Sequence, residues 1–269
     1  MIQFNPDACI GCSRCLQDCF PHALSMEDGR PSLTYPEFCL RCGHCIAVCP
    51  TGAVTDDELD MAESVPVGSH LKPEELLLQM KSRRSCRHYK ATPVPKEVLL
   101  QLVNAARACP TAKNLQDIRF ISVTGQISAL LDATLETLGE VGRTQAQTAT
   151  DPNELRRANN FISWYRQRSS DASFDPLFFH APQLLIFVSS AESARDTAAA
   201  AAYAELMAYA CGLGALYSGY FTACADSPRI RQLLQLAEHE HAIRCLVLGY
   251  PDIHFRRTVP RNPVNLTEL

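Results

Sequence analysis

From residue 73 onward, apolar and polar positions follow two different rhythms. After Pro95, VLLQLVNAARAC puts Val98, Leu99, Leu102, Val103 and Ala106 on one face of a helix. Upstream, PEELLLQMKS opens with Pro73 at a first helical position, and two glutamates follow it at the positive end of the helix dipole, which predicts a helix to about Lys81. Three short apolar runs rich in Ile, Val and Phe, namely IRFISVT, QLLIFVSS and IRCLVLG, are bounded by turn residues and read as buried strands. The longest helical pattern, SARDTAAAAAYAELMAYACGLG, is packed with small side chains and is expected to stop at Gly212 or Gly214. Strands separated by helices of this length predict a mixed sheet with helices on both faces. The run DDELDMAESVPVGSHLK, from Asp56 to Lys72, is acidic, contains Pro66 and Gly68 and has no periodicity, which predicts a surface tether. The expected division is therefore 1–56, a linker over 57–72, and a larger domain over 73–269.

Ahead of that tether the dominant signal is sulfur. CIGCSRCLQDCFPHAL and CLRCGHCIAVCPTGAV align without a gap, an internal repeat in which each copy carries Cys-x2-Cys-x2-Cys-x3-Cys. Three thiolates at that spacing wrap one iron–sulfur cube while the fourth reaches a neighbouring cube, so each copy completes the other. A zinc site built from two Cys-x2-Cys pairs does not have this spacing. The segment resembles the bacterial two-cluster ferredoxins over residues 1 to 56. That resemblance implies two [4Fe–4S] clusters, one held by Cys9, Cys12, Cys15 and Cys49, the other by Cys39, Cys42, Cys45 and Cys19. One departure is Phe20, which stands where the second copy has Pro50 and is expected to pack beside the cluster. His22 and His44 read as solvated loop residues.

Composition narrows the function classes. The 269 residues are 46% hydrophobic with a net charge of −4, and the basic residues are scattered, which argues against nucleic acid as a partner. No segment reaches the roughly 18 uninterrupted apolar residues of a membrane span, and MIQFNPDACI is no signal peptide. A cytoplasmic protein with reduced thiols is the expectation. The five other cysteines, Cys86, Cys109, Cys211, Cys224 and Cys245, have no ligand spacing and read as small buried hydrophobes.

In the larger domain RRSCRHY gathers Arg83, Arg84 and Arg87 beside the Ser85 hydroxyl at a helix end, where guanidinium forks suit phosphate oxygens. ACPTAKNLQDIRF is a polar loop between a helix and a strand, and RRTVPRNP adds arginine after the last strand. Together these segments resemble the FMN-binding nitroreductase family over about residues 73 to 265. The resemblance implies an α+β fold, a small ferredoxin-like domain followed by a mixed sheet flanked by helices, and a homodimer with FMN in its interface. By the same resemblance Arg83, Arg84, Ser85, Arg87 and Arg261 contact the ribityl phosphate and flavin edge. Thr111, Ala112, Lys113, Asn114 and Gln116 lie along the ribityl chain and ring, while Tyr217, Ser218 and Gly219 approach N5. Residues 140–175 are expected to cover the flavin, with Phe161, Trp164, Tyr165 and Phe174 as candidate stacking groups.

These parts imply an oxidoreductase. A low-potential donor such as a free ferredoxin would load the clusters and then FMN, which would reduce an electron-poor small-molecule acceptor, such as a nitro compound, quinone or activated alkene, by hydride transfer from N5. No side chain is expected to act as an essential acid. Two alternatives stand beside this reading. NAD(P)H could reduce FMN directly and the clusters carry electrons out to a protein acceptor, or the chain could be a non-catalytic redox sensor.

Overall fold

The computed structural model describes all of residues 1–269. The chain forms two compact units, Met1–His70 with Thr111–Leu115, and Leu71–Pro110 with Gln116–Leu269.

The first unit is short elements held around two loops: β1 (Ile2–Phe4), α1 (Arg14–Gln17), β2 (Leu24–Glu27), β3 (Arg30–Leu33), α2 (His44–Ala47) and β4 (Val54–Asp56). Strands β1 and β4 pair antiparallel, and β2 and β3 form a hairpin. The hairpin turns through Asp28-Gly29, φ 49° and 75°, a two-residue turn whose twist matches the strands. The sequence repeat is also a backbone repeat. Gly11, Ser13 and His22 are left-handed at φ 65°, 62° and 52°, and so are their counterparts Arg41, Gly43 and Gly52 at 49°, 73° and 66°. The buried apolar side chains are few and mostly small: Ile2, Cys15, Ala23, Leu24, Ala53 and Val54, with Pro31.

The expectation for Phe20 is corrected: it is 88% exposed, because the turn after Cys19 points it to solvent instead of into this thin core. Asp56 is buried at the end of β4 and accepts hydrogen bonds from Arg41 Nε and Nη2 at 3.2 and 3.1 Å.

The second unit comprises α3 (Pro73–Ser82), α4 (Lys96–Arg107), β5 (Arg119–Val123), α5 (Ile127–Thr148), α6 (Pro152–Ser170), β6 (Gln183–Ser189), α7 (Ala194–Ala210), β7 (Gly214–Tyr217), α8 (Gly219–Cys224), α9 (Pro228–Leu234) and β8 (His241–Gly249). The sheet order is β5-β6-β8-β7, with antiparallel pairing throughout, and the parallel component is a bridge from Ser85 to Ala215. All seven residues of β6 are buried, since side chains alternate between two covered faces. Leu184, Ile186, Val188, Cys245 and Val247 join α5, α6, α8 and α9 in one core. Leu185, Phe187, Leu246 and Leu248 join α4 and α7 in the other. Ala200, Ala201, Ala204 and Ala208 of α7 face this second core, where small side chains admit α4 closely. Helix α7 stops where the sequence indicated: Gly212 is left-handed at φ 75°, its N–H donates to Tyr209 O at 3.0 Å, and Leu213 N–H donates to Ala208 O at 2.8 Å. Strand β7, read from sequence as loop, is a four-residue edge strand that begins on glycine.

One ion pair gives this unit a pH signature. Arg119 on β5 grips Glu240 through Nε and Nη2 at 2.7 and 2.6 Å, and the Ala237 N–H adds a bond at 2.9 Å. The Arg119 bonds, against the opposing effect of burial and helped by that amide, hold the Glu240 carboxyl at about 2. A depressed carboxyl stabilises the fold above its ordinary value, and this stability is lost as pH falls through the folded value. Glu240→Gln should therefore flatten the acid side of a plot of urea midpoint against pH below about 4.5. Its cost at pH 7 should be about 1 kcal/mol, after allowance for screening at half-exposed Arg119.

Candidate functional site

The internal repeat folds into two matching thiol cavities. Cys9, Cys12, Cys15 and Cys49 line one, and Cys19, Cys39, Cys42 and Cys45 line the other, the exchange of fourth cysteines that the repeat implies. The two cavities are alike in size. Four thiols around one cavity are the donor set of an iron–sulfur cluster. Burial, with Cys42 and Cys39 nearby, pushes the Cys45 thiol up to about 11. A thiolate there needs the positive charge that bound metal supplies. Cys49 differs: burial would raise it, but bonds from Thr51 and from the amides of Ala53 and Gly52 bring it below its ordinary value. The Ala53 N–H lies 3.2 Å from its sulfur. N–H···S bonds of this kind are one of the levers on cluster potential. His44 pairs with Asp18 at 3.1 Å, and His22 is exposed.

The second unit contains a different kind of cavity. Segment 85–90 runs beside the sheet edge: the Cys86 N–H donates to Ala215 O at 2.9 Å, and the Lys90 N–H donates to Tyr250 O at 2.8 Å. The Tyr89 hydroxyl reaches the carbonyls of Cys86 and Val247 at 2.8 and 3.2 Å. Cys86 is buried against Gly214, where any Cβ would lie 2.7 Å from its sulfur; burial raises this thiol. These anchors leave Arg87 exposed at the mouth of the cavity. Strand β7 delivers Tyr217, buried Ser218 and Gly219 to the same place, and a Cβ built on Gly219 would meet nothing within 4 Å. The opposite wall is a strained loop. Asp175 accepts from the N–H groups of Leu177, Phe178 and His180 at 3.2, 2.8 and 2.8 Å, with Phe179 and His180 left-handed at φ 55° and 57°. The Phe179 ring lies 6.0 Å from the Arg87 guanidinium carbon. Arg87, Pro176, Leu177, Phe179, Leu216, Tyr217, Ser218, Gly219, Tyr220 and Ala223 line an open cleft of about 430 Å³. Apolar and aromatic walls with one cation at this size suit a planar heterocycle. Phe161 and Trp164 are not free stacking groups: they pack behind Tyr220 at 5.4 and 5.7 Å.

The residues singled out from sequence fall into three places. Arg87, Tyr217, Ser218 and Gly219 meet at the cavity. Thr111 to Asn114 belong to the first unit, with Lys113 and Asn114 left-handed. Arg83, Arg84, Ser85, Gln116 and Arg261 do not line the cavity, and Arg261 sits in an exposed stretch after β8. Arg83 donates through Nη1 to buried Glu205 of α7 at 3.0 Å. Burial raises the Glu205 carboxyl and Arg83 opposes the rise. The Tyr217 phenol is raised by burial and then by Glu205, against Arg83 and Arg244. Sequence reasoning passed over Glu205, although an acid in the interior of an alanine-rich helix, beyond Asp196 of its first turn, was a visible signal. Phe179 and Tyr220 left no comparable trace.

Residues 80–250 match the Nitroreductase family, and residues 8–53 match the 4Fe-4S dicluster domain. The chain belongs to the nitroreductase family, with a 4Fe-4S dicluster domain ahead of the family fold. Among solved structures, a nitroreductase with bound FMN from Bacteroides fragilis is 22% identical over 72% of this chain and 99% of its own, with a TM-score of 0.52. An FMN-dependent nitroreductase from Clostridium difficile R20291 is 15% identical over 74% of this chain and 100% of its own, TM-score 0.54. A BluB-like flavoprotein from Clostridium difficile 630 is 16% identical over 72% and 96%, TM-score 0.55. No curated protein matches the chain.

Proposed function

We propose that the protein is an FMN-dependent oxidoreductase in which electrons from a low-potential donor such as a ferredoxin pass through two [4Fe–4S] clusters to FMN and then to a nitro compound, quinone or activated alkene. When bound, the clusters exchange single electrons and FMN delivers pairs as hydride. The observation that carries this reading is the cavity joining Arg87 to Tyr217, Ser218 and Gly219 in a nitroreductase-family fold. FMN held here would meet Arg87 at its electron-rich edge and Phe179 and Tyr220 as walls, with the backbone at 217–219 toward N5. The two four-cysteine sets hold the clusters. Arg83, Arg84, Ser85 and Arg261, with Thr111, Ala112, Lys113, Asn114 and Gln116, complete the phosphate and ribityl site in a homodimer. Helix α3 favours such a dimer, because it buries none of its residues and exposes Leu76, Leu77, Leu78 and Met80. No helix of the chain is long and apolar enough to cross a membrane.

Anaerobic titration tests the direction of flow. Reduced ferredoxin should bleach first the cluster absorbance and then the flavin, with NADH and NADPH inert. Flavin bleaching by NAD(P)H ahead of the clusters would reverse the direction and point to a protein acceptor. Arg87→Ala should weaken FMN binding by about 10- to 100-fold, the range for loss of a bond from a charged donor, read by quenching of flavin fluorescence.

A further inference from the structure

The two ligand sets come from one repeat, but their flanks differ. Aligned by its cysteines, the repeat places Ala8 and Pro50 beside the first set, next to Cys9 and Cys49, and Phe38 and Phe20 beside the second, next to Cys39 and Cys19. Phe20 is 88% exposed, Phe38 56% and Tyr35 48%, and the Tyr35 and Phe38 rings lie 6.2 Å apart. The backbone ties these stretches together. The Thr34 and Tyr35 N–H groups both donate to Ala23 O at 3.1 Å, and the His22 N–H donates to Cys19 O at 3.0 Å. Of the residues lining the first cavity, Ile10 is the one exposed large apolar side chain. Three aromatic rings gathered in water do nothing for the fold, and surface apolar groups that cluster mark contact with another molecule.

Carboxylates surround the rings. Glu37 stands between Tyr35 and Phe38, Asp18 precedes Cys19 and pairs with His44 at 3.1 Å, and Glu27 accepts from the Thr34 hydroxyl at 3.4 Å. Residues 1–70 hold ten Asp and Glu against three Arg and no Lys, a net charge of −7 in a chain whose total is −4, so residues 71–269 are net +3. An acidic face of this kind steers positively charged partners toward it and repels negative ones. At about 200 Å² for a whole aromatic side chain, the three rings expose on the order of 400 Å², well under a stable interface of roughly 1,200 Å² or more and suited to the weak encounters of electron transfer.

We propose that this face, with Phe20, Tyr35 and Phe38 inside a rim of Asp18, Glu27 and Glu37, docks a one-electron carrier protein whose contact surface is an apolar centre ringed by lysine and arginine. Electrons are exchanged there through the cluster of Cys19, Cys39, Cys42 and Cys45. This rests on the reading that the clusters trade electrons with an outside protein, and it narrows that partner to one with a basic contact face. In each encounter one electron passes between the carrier and the cluster, one of the two is oxidised as the other is reduced, and no bond or proton moves.

Anaerobic stopped-flow tests the face, with holoprotein reduced by dithionite and ferricytochrome c as the basic one-electron carrier. The second-order rate constant should fall as salt rises from about 0.02 to 0.2 M. Phe20→Ser and Glu37→Lys should each lower it about tenfold at low salt, through loss of a central aromatic contact and reversal of a steering charge, while Ile10→Ser keeps the wild-type rate. Ferricyanide, too small to need docking, should oxidise the Phe20→Ser clusters no more slowly than wild type. An unchanged rate with cytochrome c in Phe20→Ser, equal slowing in Ile10→Ser, or slowing toward both oxidants overturns the proposal. So does a change in the apparent size of Phe20→Ser on gel filtration, which would show the rings covered by a second copy of the chain. Carbodiimide cross-linking of oxidised holoprotein to cytochrome c needs no electron transfer. Links should fall on Asp18, Glu27 or Glu37, and links confined to residues 56–63 overturn the face. If wild-type clusters pass electrons to neither oxidant, the proposed function fails, and the cross-links still decide whether the face docks a basic protein.

Discussion

Anaerobic removal of iron will unfold the first unit and leave the sheet of residues 119–249 folded. Besides Pro31, the first unit has Ile2, Cys15, Ala23, Leu24, Ala53 and Val54 as buried apolar side chains, three of them alanine or cysteine. A core that thin cannot offset the conformational entropy of some seventy residues, and domains of this kind are usually stabilised by metal. Burial that raises Cys15 and Cys45 adds to the imbalance once the metal charge has gone. Amide exchange should show residues 2–56 losing protection by about 100-fold or more, as expected when binding free energy is folding free energy. Thr111–Leu115 should lose protection with them. Cys42→Ser should lower iron from about eight atoms per chain to about four or fewer. Protection over 2–56 that survives chelation would show a unit stable on its own.

Gly142→Ala should destabilise the second unit by about 2 to 3 kcal/mol, near the upper end for an overpacked core. A Cβ there would lie 2.6 Å from the Ala158 carbonyl oxygen and 3.0 Å from the Phe161 Cβ. The closest neighbour is the backbone of α6, which cannot turn aside as a flexible side chain could. The gain of about 1 kcal/mol in helix propensity from glycine to alanine offsets only part of this cost. Scanning calorimetry should show a fall of about 5 to 10 °C. Val141→Ala, at a more exposed position one residue away, should move stability by under about 0.5 kcal/mol. Because Phe161 backs Tyr220 at 5.4 Å, Gly142→Ala should also weaken flavin binding. Full stability with loosened flavin would mean that the helix pair separates without unfolding.

Much of this was legible along the chain. The three apolar runs became β5, β6 and β8, because strands covered on both faces need no polar alternation. Pro73 and Pro95 marked helix starts, and Gly212 ended α7, since each residue fixes a local backbone angle that few others supply. Strand β7 was missed because four residues opening with glycine carry no period, and only pairing with β8 makes them a strand. The exposure of Phe20 could not be read either, since it depends on how little core lies beneath it.

The sequence by itself indicated the two four-cysteine sets, helices α3, α4 and α7, strands β5, β6 and β8, and the family, because each rests on spacing or period within one short stretch. Only the tertiary structure decided that Arg87 meets Phe179 beside Gly219, that Arg83 answers Glu205, and that Asn114 binds the Arg41 carbonyl. Those pairs join positions far apart in the chain, and their partners are set by packing and by the need to satisfy buried charge and backbone groups, for which no local pattern exists.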